Sequence, residues 1–168
     1  MNIVLMQEER DCAVAAIGTA LSVIYEQAAK ALNHANLPGP LESPLLSNPW
    51  TLYRAISRLG FWKKNLTWMQ VKSCEAMPGK IIMLVKQDLL TQHWIVWDGT
   101  LNANEGKFHR VFWGNSEEPR YYPEAKLDEM LHKAPPYCIF EVYKFTGSRW
   151  SLWARLAWER IKSALRPS

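Results

Sequence analysis

DCAVAAIGTAL, residues 11–21, is the stretch on which the fold turns. Asp11 is a residue type suited to capping a helix N-terminus, and Ala13, Ala15, Ala16, Gly18 and Ala20 follow it. Small residues on nearly every face suit a helix enclosed in the middle of a domain and approached closely by other elements. Cys12 then stands at the start of that helix, where unpaired N–H groups and the positive end of the dipole favour a thiolate. A thiol so activated is a candidate nucleophile. Most cysteines among alanines, however, are small buried hydrophobes. The next run, SVIYEQAAKAL (residues 22–32), is also helical, with Ile24, Ala28 and Leu32 spaced by four. Periodicity does not separate one long helix from two.

Working outward, residues 1–6 read as a short strand. The cluster of Pro38, Gly39, Pro40, Pro44 and Pro49 reads as a loop. A helix is expected over 50–58, stopped by Gly60. Strands are expected over 80–86 (KIIMLVK) and 93–98 (HWIVWD), then a hairpin connection over 99–107 and a partner strand over 108–113. A short helix over 123–133 and a last core strand over 137–145 complete the domain. Helices first and an antiparallel sheet afterwards make an α+β fold.

Composition narrows the functional classes. Hydrophobic residues form 48% and charged residues 21% of 168 residues, a globular balance. Cys12, Cys74 and Cys138 are odd in number and widely spaced, which speaks against a disulfide framework or a zinc knuckle. Glu8, Glu9, Arg10 and Asp11 interrupt the apolar run a signal peptide needs, and no stretch approaches the ~20 apolar residues of a membrane span. The expectation is a cytoplasmic protein of a reducing compartment. Five basic residues (Arg149, Arg155, Arg160, Lys162, Arg166) against one acid, Glu159, give the last twenty residues the same +4 that the whole chain carries. The body is therefore neutral, which argues against a nucleic-acid-binding face on it.

A second chemical residue is His93, at the head of the apolar strand HWIVWDG. Together, QEERDCAVAAIGTAL and HWIVWDG resemble the papain-like cysteine peptidases, and within them the bacterial double-glycine leader (bacteriocin-processing) peptidases. IYEQAAKAL is similar to the second helix of that family, LYRAISRLGF to its third, and PGKIIMLVKQDLLTQHWIVWDG to its strand–loop–His-strand unit. The resemblance spans most of residues 1–145, in order, and omits the tail. It implies a papain-like fold, with N-terminal helices packed on an antiparallel sheet. It also implies Cys12 as nucleophile, His93 as general base, and Gln7 as an oxyanion donor beside the Cys12 N–H. Gln7 precedes Cys12 by five residues where the family more often has six, and Ala13 stands where the family usually has Gly.

In that family the group orienting the imidazole lies on the strand after the His strand. If Asp98 pairs with Phe108, His93 faces Trp113 and Asn115 is the next residue on the same face. That makes Asn115 the expected third member; Asp98, five residues along, turns to the other face and is expected to serve the Asp98–Gly99 turn. The partner is then a peptide or protein substrate, with no cofactor implied. A metal site from Cys12, His93, His109 or Asp98 lacks short ligand spacing. The alternative is a catalytically silent papain-like binding module. Residues 1–146 form the domain. Residues 147–168 are expected to be a basic amphipathic helix with a Trp150, Trp153, Ala157, Ile161 stripe. Through residues 149–166 such a helix suits a membrane surface, a protein partner or its own domain.

Overall fold

A computed structural model describes residues 2–7, 11–35, 49–73, 79–86, 92–103, 106–134 and 138–144. The expected C-terminal helix, and with it the domain boundary at 146, lies outside the described residues.

Helix α1 (Cys12–Leu21) forms where the small-residue run predicts it, and all ten of its residues are buried. Its end settles the one-or-two question. Ser22 takes a left-handed conformation (φ 58°), the chain turns, and α2 (Tyr25–Ala35) begins as a separate helix. Asp11 occupies the cap position without capping. Its carboxylate accepts from the Tyr25 hydroxyl instead, tying the entry of α1 to α2. α3 (Pro49–Arg58) follows as expected.

A six-stranded sheet, antiparallel at every pairing, runs in the order β1-β6-β2-β3-β4-β5. Its strands are β1 (Phe61–Asn65), β2 (Ile81–Lys86), β3 (Gln92–Ala103), β4 (Gly106–Phe112), β5 (Arg120–Pro123) and β6 (Ile139–Lys144). Ile81 to Val85 are fully buried in succession, so both faces of β2 are covered. One cover is α1–α3. Lys80 Nζ donates to the Ala20 carbonyl at 2.7 Å, and the Lys63 ammonium lies over both Tyr53 of α3 and Phe140 of β6. Phe140 in turn packs on Trp94 at 5.8 Å between centroids. The other cover is α4 (Trp68–Lys72) and α5 (Glu124–His132), which meet the face carrying Trp97 and His109.

Several expectations are corrected. Residues 2–6 form no strand: Val4 N–H donates to Thr19 Oγ1 (2.9 Å) and Met6 N–H to the Gly114 carbonyl (2.6 Å), so their bonds go to a side chain and a loop. β3 does not stop at a turn after Asp98. It continues to Ala103 through an irregularity between Trp97 and Thr100, where Gly99 adopts φ 105°. Most of the expected 99–107 connection therefore belongs to the strands, β3 ending at Ala103 and β4 beginning at Gly106. Phe108 pairs with Leu101, not Asp98. β1, β5 and α4 are additions, α4 being started by a capping box at Thr67 and Gln70.

Candidate functional site

β4 ends at Phe112 while β3 extends back to Gln92, so the first residues of β3 have an edge that β4 does not cover. Odd-numbered residues of β3 direct their backbone groups toward β2, as the Gly79 N–H bond to the Trp97 carbonyl shows. Even-numbered ones point to the uncovered side. The N-terminal tip of α1 fills that edge. Cys12 Sγ is in hydrogen-bonding reach of the Trp94 N–H, and also of the Ala13 and Cys12 N–H groups.

The loop after β4 closes over the same place. Gly114 has φ 80°, and a Cβ there would stand 2.6 Å from the Ala15 Cβ of α1 and 3.2 Å from Met6 Cγ. Only glycine satisfies both the dihedral and the approach. Met6 is bonded to Gly114 through its backbone. Gln7 and Asn115 each follow one residue on, and both are exposed. The half-buried His93 ring lies 4.9 Å from the Trp113 ring, edge to face. Cys12, His93, Gln7 and Asn115, drawn from four separate segments, thus share one end of the sheet.

They do not share one face. By alternation His93 belongs with Ile95 and Trp97, the face of α4 and α5, whereas α1 packs on the Trp94 and Val96 face. Cys12 therefore meets β3 at its uncovered edge, beside the Trp94 N–H, while the His93 side chain belongs to the face of Ile95 and Trp97.

The electrostatics correct one expectation outright. Burial pushes the Cys12 thiol above its ordinary value, more than the three N–H groups pull it down, and the Asp11 charge adds to the rise. A helix start is not enough to make a thiolate when the sulfur is dry. Cys138, also buried, is shifted the same way for the same reason.

The strand register around Asn115 likewise differs from the expected one. Pairing of Val96 with Phe112 and Trp97 with Val111 sets a register two residues from the expected one, and Trp113 reaches His93 diagonally. Asn115 Oδ1 accepts from Arg120 Nη2 at 3.2 Å. Asp98 serves no turn; its carboxylate pairs with Arg110 Nη2 of β4 at 2.6 Å. Arg120, which the sequence did not single out, also lies over Trp113, 5.0 Å from the centroid, and Tyr122 flanks that indole at 6.1 Å. The only hint in the sequence is a cation two positions before Tyr122, meaningful once β5 exists. Among the described residues no three His, Cys, Asp or Glu side chains gather as a metal site. No described helix is long and apolar enough to cross a membrane.

Set against known proteins, the chain matches no family model and no curated protein.

Proposed function

We propose that this protein is a papain-like cysteine peptidase, hydrolysing a peptide or isopeptide bond with Cys12 as nucleophile and His93 as base. One observation carries the reading: two contacts meet at the start of β3, Cys12 Sγ within reach of the Trp94 N–H and the His93 ring on Trp113, and Met6 N–H bonds the Gly114 carbonyl one residue after Trp113. Cys12 and His93 make the first two of these contacts, and Gln7 and Asn115 each follow one residue after a partner in the third.

In this reading the thiol rests protonated. On substrate binding His93 takes the Cys12 proton as sulfur attacks the carbonyl carbon. The oxyanion is held by the Cys12 N–H and the Gln7 amide. Collapse breaks the C–N bond, the imidazolium gives its proton to the leaving amine, and water, deprotonated by His93, hydrolyses the thioester. Asn115 orients the imidazole: an amide oxygen has two lone pairs, and Arg120 uses one. The resemblance suggests cleavage after small residues such as Gly-Gly.

Incubation with a peptide library and mass-spectrometric detection of products tests this. The wild type is expected to cleave, and Cys12→Ala and His93→Ala to fall to background with unchanged circular dichroism. A Cys12→Ala protein that still turns over a wild-type substrate overturns it. The raised thiol favours a second reading, a silent binding module of the same fold, and wild type that binds peptides without cleaving any supports that one.

A further inference from the structure

Arg120 opens β5, the edge strand of the sheet, and two contacts pin its exposed side chain. The guanidinium stacks over Trp113 and one amino group donates to Asn115. Stacking and a fixed bond remove much of the rotamer freedom an arginine otherwise loses on binding a ligand. Among the described residues, three parts of its fork of five N–H donors remain to be used, Nε, Nη1 and the second Nη2 hydrogen. Glu117 and Glu118 lie on the adjoining loop, yet Arg120 forms no ion pair among the described residues. Arg110, one strand over, gives the contrast: its guanidinium is already taken by Asp98. Among the described residues, Arg120 is a pre-positioned cation without a counter-ion.

Its location gives it a use. The guanidinium and the His93 ring each lie about 5 Å from the same indole, so at most ~10 Å separates them. An extended peptide advances ~3.3 Å per residue, so a carboxylate bound by Arg120 belongs to a residue within about three of the bond held at His93. We infer that Arg120 is a specificity-determining residue that selects peptides carrying a carboxylate within three residues of the reacting bond; this rests on the peptidase reading. A bidentate carboxylate–guanidinium pair supplies both the attraction and the geometry. An aspartate or glutamate side chain and a free C-terminus share that chemistry.

The test is peptide binding to full-length Cys12→Ala protein, by fluorescence anisotropy of labelled hexapeptides spaced with Gly and Ala. One arm places Glu or Gln at each internal position with an amidated end; the other has no internal acid and compares free with amidated C-termini. The Glu or free-acid peptide is expected to bind about fivefold more tightly than its neutral match at one position. Arg120→Gln should erase that ratio, Arg120→Lys should keep part of it, and Arg120→Glu should shift preference to Lys peptides. An acid preference confined to one arm names the source. Equal binding of acidic and neutral peptides, binding by neither, or a preference that survives Arg120→Gln overturns the inference. Labelling of wild-type Cys12 by a thiol-directed peptidyl ketone, read separately, reports on the peptidase reading itself.

Discussion

Gly114 is the residue on which the candidate site's geometry most depends. Its φ of 80° and its contact with Ala15 cannot both survive a methyl group. Gly114→Ala is therefore expected to lose about 2–4 kcal/mol, from left-handed strain plus overpacking, measured as a lower denaturation midpoint. The Cys12 thiol gives a second expectation. Its value is raised, so without substrate the rate of iodoacetamide alkylation at Cys12, followed by peptide mass mapping, should still be climbing at pH ~9. A rate already level at neutral pH marks a pre-formed thiolate and contradicts the burial argument. At this scale the sequence was legible in identity and not in environment. Cys12 at a helix start was readable because Asp11 and the alanines announce the helix. The direction of its pKa was not, because the burial that raises it belongs to the tertiary packing and not to the local sequence. Asn115 failed to predict its own partner for a similar reason: Arg120 meets it only after β5 has formed.

The latch between β4 and α5 is an element-scale feature that no local pattern announces. His109 of β4 is fully buried; Trp97 Nε1 donates to its Nδ1 at 3.2 Å, so the neutral ring carries its proton on Nε2, 3.5 Å from Glu124 at the head of α5. Lys107 and Lys72 complete the group by pairing with Glu124, and Asp128 accepts from Trp68 while facing Lys72. Burial lowers the His109 pKa against the pull of Glu124, with Lys107 adding to the fall. The folded value thus lies below the unfolded one, and the unfolded chain takes up protons first as the solution is acidified. Stability contributed by a neutral His109 is present above pH ~6.5 and is lost as pH falls from there through the folded value. Burial pushes the Glu124 carboxyl up, but Lys72, Lys107 and His109 hold it below the usual carboxylate range, so it stays ionised across that window. Thermal unfolding from pH 7.5 to 5 should show a falling midpoint in wild type and a flatter profile in His109→Phe. Identical slopes remove His109 as the cause. Elements with long periodic or continuous apolar runs were legible: α1, α3, β2 and β6 stand close to where the residues predict them. β5 and α4, four and five residues long, are too short to show a period. Gly99 was misread as a turn because a glycine in a strand bulge and one in a hairpin look alike in sequence.

For the whole molecule, the charge distribution sets an expectation that the folded core does not touch. All of the net +4 lies in residues 149–168. A chain ending at residue 148 should keep its unfolding midpoint and its Cys12 reactivity while losing retention on anionic vesicles. An unfolded truncated protein assigns the tail to the core instead. The α+β class was readable because helices precede strands along the chain. Strand order was not, since nothing local says that β6 inserts between β1 and β2. That insertion has a consequence for synthesis. On the ribosome β1 and β2 emerge early, each with an edge that only β6, the last described strand, can pair. At ~5–20 residues per second the nascent chain carries those unpaired edges for several seconds. A ribosome-stalled chain ending at Lys133 should be held by chaperones and cut readily by protease, and one long enough to expose Lys144 should become resistant.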